Sequence, residues 1–186
     1  MAGFTVGQQI VYPSQGIGVV EGIEERALGP TKLACYNLRL ADNSLVTVPV
    51  NNAVAIGLRV PLSAAECESM FGALAEDFNA PASDWKDRFK DFSEKMRTGS
   101  LFDIACVLKH LTYLGLIKSL SFREQRLLEK AQYLVVSELT AVCRLPECDV
   151  TERVQGILSA TCAKHLADAA KSLAAASHSS WPARAI

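Results

Sequence analysis

The chain has 186 residues, of which 49% are hydrophobic and 21% charged, with a formal net charge of −1; this is the profile of a globular protein long enough for one domain or two small ones. No apolar run approaches the roughly 20 residues that span a bilayer, and the N-terminal stretch MAGFTVGQQIVY lacks the basic-then-apolar build of a secretory signal, so the chain is expected to stay in the cytoplasm, away from membranes. A net charge so close to zero neither supports nor excludes a nucleic-acid partner.

Residues 6–60 read as strands. VGQQIVY, GIGVVEGIE, LACYNLRL and SLVTVPV are short, rich in Val, Ile, Leu and Tyr, and separated by the turn segments PSQG, LGPT and ADNS. Strands so close together predict a small curled sheet or barrel. Pro13 and Pro49 fall at strand margins, where a missing amide donor costs little.

The period changes at Ser63. Ser63 and Glu66 have capping-box spacing and open a helix reaching about Asp77. FNAPAS breaks the chain, Asp84 caps the next helix, and TGS at 98–100 ends it. Ser100 caps a third helix, LFDIACVLKHLTYLGLI, apolar on nearly all sides and therefore central. Ser121 and Glu124 repeat the capping box before a fourth helix striped by Leu127, Leu128, Ala131, Leu134, Val135, Leu139 and Val142. After Pro146 a fifth helix is expected to turn Val154, Ile157, Leu158, Leu166, Ala169, Ala170 and Leu173 inward. The predicted class is therefore α+β: a sheet domain over 1–61, a helical bundle over 62–176 and a mobile tail over 177–186.

The charge is uneven. Residues 1–82 carry 4 basic and 8 acidic side chains, whereas 83–144 carry 11 basic and 8 acidic. The excess of cations in the middle helices is a modest pointer to an anionic partner, since many solvated helix faces look the same.

Six cysteines without C-x-x-C spacing read as reduced thiols filling small apolar positions. Cys143, Cys148, Cys162 and His165 offer four potential ligands, but their spacing matches no familiar zinc pattern and their flanks are helix-forming, so neither metal nor cofactor is expected. No cysteine stands beside a histidine and an orienting acid in a recognisable motif. His110 sits on an apolar helix, where a satisfied core histidine is the plainer reading, and no catalysis is expected.

Trp85, Phe89, Phe92 and Met96 fall at i, i+4, i+7 and i+11, one stripe of the second helix. Two readings of Trp85 follow. It is either the top of a buried seam or, in the first turn and flanked by Lys86, Arg88 and Lys90, an aromatic that stacks on opened bases while the cations hold phosphates.

Three segments in order carry a resemblance: FTVGQQIVYPSQGIGVVEGIEER, DWKDRFKDFSEKMRTGSLFDIACVLKHL and LSFREQRLLEKAQYLVVSEL. Over about residues 4–142 the chain resembles the bacterial CarD and CdnL transcription regulators, whose N-terminal module is similar to the polymerase-interacting domain of transcription-repair coupling factors. The resemblance implies an N-terminal Tudor-like or SH3-like barrel that binds the RNA polymerase beta subunit, joined to a helical domain that contacts promoter DNA. It implies that Trp85 wedges into the minor groove at the upstream edge of the melted promoter, stabilising the open complex, with Lys86, Arg88 and Lys90 as its basic cluster; Arg123, Arg126 and Lys130 on the fourth helix either extend that patch or form a solvated face. In the barrel, Arg26 corresponds to a basic polymerase-contacting position, and Val46, Thr47 and Pro49 lie on the strand expected to dock. Two departures stand out: Asp87 interrupts the basic cluster, and Thr47 occupies a position where some relatives have arginine. The resulting expectation is a monomeric, non-catalytic regulator bridging polymerase and promoter. The alternative is a polymerase-binding adaptor whose helical domain holds another protein.

Overall fold

The structure, a computed structural model, describes residues 3–28 and 31–178. Strands β1 (Gln9–Tyr12), β2 (Gly16–Leu28), β3 (Thr31–Leu40) and β4 (Leu45–Pro49) form an antiparallel meander in that order. Alternation sends Ile10, Val20, Tyr36, Leu38 and Val48 into one small core with Ala53 and Leu58. β2 and β3 are longer than the sequence segments suggest and pair out to Leu28 and Thr31. Their register shifts between Val20 and Gly22, and such a bulge strengthens the local twist that curls a sheet. After β4 the chain passes through a 3-10 turn (Val50–Asn52) and α1 (Ala53–Ile56), and then returns along β1. There Val11 N donates to Arg59 O at 2.7 Å and Arg59 N to Val11 O at 3.3 Å. That bridge covers one edge of the half-barrel. β4 is left as the edge strand on the other side.

The helices start where their caps dictate. Capping boxes at Ser63/Glu66 and Ser121/Glu124 open α2 (Ala64–Ala75) and α5 (Phe122–Cys143), while Asp84 and Ser100 cap α3 (Trp85–Thr98) and α4 (Leu101–Ile117). α4 is central, burying Leu101, Ile104, Val107, Leu108, Leu111 and Leu114 against Met70, Leu74, Phe92, Val135 and Leu139 of its neighbours. It also buries Lys109. That ammonium donates to Ala73 O at 2.6 Å and Glu76 O at 2.7 Å, satisfying carbonyls that the end of α2 leaves open. His110 is buried as well, and desolvation holds its pKa below the ordinary histidine value.

The last helix, α6 (Glu147–His178), corrects two expectations. Val150, Val154, Leu158 and Cys162 face the core, but Leu166 and Ala169 are only half-buried and Ala170 is exposed. At 32 residues α6 is about 48 Å long, whereas the 17-residue α4 that it packs against spans about 26 Å, so its C-terminal half overhangs. The helix also runs through His178, two residues into the span expected as tail; the remainder of that span, like the side chain of Leu173, lies outside the described residues. Cys148 is exposed, Cys162 is buried under Lys109 O, and His165 Nδ1 donates to Asp77 Oδ1 at 2.9 Å while the ring stacks on Phe78. Among the described residues no helix is long and apolar enough to cross a membrane.

Arg59 joins the two halves. Its backbone belongs to the half-barrel, while its guanidinium reaches Glu138 of α5 through two bonds of 2.7 and 2.8 Å and Gly99 O at 2.9 Å. Glu138, almost fully buried, also accepts from Leu62 N at 3.0 Å. Pro13 fills the space beside Gly57 and Gly99; both glycines have positive φ, and a Cβ on either would meet the Pro13 ring at 3.1 Å. The half-barrel is therefore held in a fixed orientation on α3 and α5.

Candidate nucleic-acid interface

Asp84 accepts from Lys86 N at 2.7 Å and Asp87 N at 3.2 Å, which fixes Trp85 as the first residue of α3. Side chains on a helix lean toward its N-terminus, so an aromatic at this position overhangs the packed body. The stripe accordingly grades from core to solvent: Phe92 and Met96 are buried, Phe89 is half-buried and Trp85 is 54% exposed. The indole is not enclosed by its own helices.

The basic cluster divides. Lys86 and Lys90, four residues apart, are exposed, and with Trp85, Phe89, Arg97 and Arg123 they border a shallow hollow of about 440 Å³. Arg88 does not join them. Only 3% exposed, it donates to Ala82 O at 2.6 Å, to Ser83 O at 3.1 Å and, through Nε and Nη2, to Glu124 Oε1 at 3.3 and 2.9 Å. The expectation that Arg88 meets phosphate is corrected by this burial: its donors are spent inside the protein. Its position three residues after Trp85 and four before Phe92 puts it on the inward side of the helix.

Glu124 links two helix starts. Its carboxylate accepts from Ser121 N at 3.0 Å and Ser121 Oγ at 2.8 Å in the capping box, holds Arg88, and has Lys118 Nζ at 3.7 Å. Burial opposes its ionisation, but the Ser121 and Arg88 hydrogen bonds and the Lys118 charge outweigh it and hold the pKa at about 2. The ion pair thereby sets the spacing between the N-terminus of α3, carrying Trp85, and that of α5, carrying Phe122.

Phe122 is absent from the residues that sequence reasoning selected, yet it is 79% exposed. Its signal was present: it stands outside the apolar stripe of α5. Arg123 and Arg126 are exposed beside it, and Lys130, half-buried, lies 5.4 Å from the Tyr133 ring centroid. Among the described residues no carboxylate comes within ion-pair distance of Lys86, Lys90 or Arg123, whereas Arg126 has a marginal partner in Glu129 at 4.0 Å. Asp87 is exposed among these cations.

The barrel residues fall on one sheet without meeting. Arg26 is opposite Leu33, and Thr47 is opposite Asn37, four residues further along β3 or about 13 Å. Arg26 is exposed, with Glu24 at 3.9 Å, whereas Thr47 Oγ1 donates to Asn37 Oδ1 at 3.1 Å. Val46, Thr47 and Pro49 are half-buried on the edge strand β4, and Val48 between them points into the core.

Residues 4–59 match the family model described as CarD-like/TRCF RID domain, and residues 69–155 the one described as CarD, C-terminal domain. The second match stops inside α6, before Leu158 and Cys162, which still face the core. A Bacillus subtilis (strain 168) protein named "Putative transcription factor YdeB" is 26% identical over 145 residues, covering 77% of this chain and 95% of that protein.

Proposed function

Because the chain belongs to the CarD family, a family of transcription regulators that interact with RNA polymerase, we propose that it bridges the polymerase beta subunit and upstream promoter DNA and prolongs the open complex without chemistry of its own. The half-barrel docks through Arg26 and the free edge of β4, where a partner strand can add main-chain hydrogen bonds. The helical domain then presents Trp85 to the minor groove at the upstream edge of the bubble, with Lys86, Lys90, Arg123, Arg126 and Lys130 available to phosphates. It acts as a monomer in the cytoplasm. The observation that carries this reading is the half-exposed indole at the tip of α3, flanked by unpaired lysines.

The energetics are of the right size. A tryptophan buries about 150–250 Å² when enclosed; covering the exposed half of Trp85 removes on the order of 100 Å² of apolar surface from water, or about 2 to 3 kcal/mol. Unstacking a base step costs a few kcal/mol, so the ring offsets much of that cost and only in the melted state. A ligand favouring one state shifts the population toward it. Trp85→Ala is therefore expected to shorten open-complex lifetime by as much as roughly 100-fold while polymerase pull-down is unchanged. Equal lifetimes for the two proteins would defeat the proposal. A promoter footprint identical with and without the protein would favour the adaptor alternative.

A further inference from the structure

Resting on the DNA-contacting reading above, we propose that the groove between the first turns of α3 and α5 receives an unpaired nucleobase, with Phe122 as its second aromatic wall. The groove holds about 760 Å³ and is lined by Trp85, Phe89, Phe92 and Phe122 and by the Arg88–Glu124 pair, whose charges offset each other, with the exposed Lys118 and Arg123 also on its wall. Both outer aromatics occupy the first position of a capped helix and overhang it for the same geometric reason, and the Arg88–Glu124 pair fixes their separation. Phe122, largely solvated, contributes little to the core.

The chemistry of the walls selects the occupant. A nucleobase is a flat π-system tied to an anionic backbone, and a slot with aromatic sides and exposed cations on its wall meets both parts. The pattern also continues along α5. Phe122, Arg126, Glu129, Lys130 and Tyr133 stand at i, i+4, i+7, i+8 and i+11, a second face of that helix on which two cations and one carboxylate lie between two aromatics over about 16 Å. Together with Phe89 and Arg123 they line an adjoining hollow of about 730 Å³. Such a track suits a strand whose bases stack while its phosphates follow the cations. Because every base has a π-face, binding is tolerant of sequence.

The test uses the full chain, a fluorescein-labelled oligothymidylate and a paired duplex of equal length, followed by fluorescence anisotropy at low salt. Phe122→Ala is expected to weaken single-strand binding by roughly 5- to 150-fold, Phe122→Tyr to preserve it, and neither to alter duplex binding or the thermal melt. Unchanged single-strand binding in Phe122→Ala, an equal loss on duplex, or no single-strand binding by the parent chain each overturns the inference. Exclusive binding of an acidic, aromatic peptide that depends on Phe122 overturns it in favour of a protein partner. The Trp85→Ala lifetime measurement is separate: a shortened lifetime with Phe122→Ala still binding the oligothymidylate sinks this inference alone, and an unaltered lifetime sinks the parent reading.

Discussion

Replacing Arg88 by methionine leaves the Glu124 carboxylate in a nearly closed site without its principal cation. The side chains are 4% and 13% exposed, so water replaces the lost partner poorly. Removing one member of a buried pair costs about 3 to 5 kcal/mol; a loss of about 4 kcal/mol corresponds to a melting temperature lower by roughly 8 to 16 °C for a chain of this size. The loss should be reversed in part by Arg88→Met combined with Glu124→Gln, because glutamine keeps the capping box but removes the stranded charge. Acid supplies an independent arm. Glu124 has a folded-state pKa of about 2 against an ordinary 4.5, so its contribution, about 3 kcal/mol at most, is complete above pH 4.5 and lost as pH falls through about 2. The gap between the parent and Arg88→Met should therefore narrow over that interval. Denaturant titration at several pH values, alongside DNA binding at neutral pH, measures both. A variant that melts like the parent but binds DNA less well would show that Arg88 faces phosphate and that its burial is wrong.

Other consequences follow from the same geometry. Lys86→Ala and Lys90→Ala should leave stability within about 0.5 kcal/mol and each reduce the slope of log affinity against log salt by about 1, whatever the DNA sequence; a slope unchanged in both would remove them from the interface. Glu138→Gln should loosen the hold of Arg59 and, by weakening a buried pair, cost about 3 kcal/mol, read as faster amide exchange at Leu62 and along the β1–Arg59 bridge. Exchange no faster than in the parent would argue that the other contacts between the halves, Pro13 packing and the Ser14 bond to Met96 O among them, fix their orientation without Glu138. Lys109→Met should destabilise α2 at its C-terminal end, seen as local loss of protection around Ala73 to Glu76 with α3 unaffected. Arg26→Ala should reduce capture of core polymerase without changing the melt, and undiminished capture would move docking onto the β4 edge alone.

Much of the fold was legible because local rules act over a few residues. The switch from a period of two to one of 3.6 at Ser63, the two capping boxes and the Asp84 and Ser100 caps each depend on neighbours in sequence, and the elements begin where those signals stand. The overhang of Trp85 was half legible: its place in the first turn follows from Asp84, but whether another helix covers it does not. Arg88 shows the limit most clearly. Its spacing from Trp85 and Phe92 puts it on the inward stripe, yet an arginine there is tolerable only if a carboxylate is waiting, and Glu124 lies 36 residues away. Phe122 is the converse case, a residue whose departure from the α5 stripe was visible while the groove it walls was not.

What the order of residues determined by itself was the four strands and five longer helices, the starts of the four capped ones and the family pattern, since hydrogen-bond caps and apolar periodicity are short-range. What only the tertiary structure decided was which cations remain free and which aromatics line one groove. Both depend on chain segments distant in sequence: Glu124 takes Arg88 out of solvent, Glu138 locks Arg59 across 79 positions, and the Arg88–Glu124 link between α3 and α5 leaves Trp85 and Phe122 lining one groove.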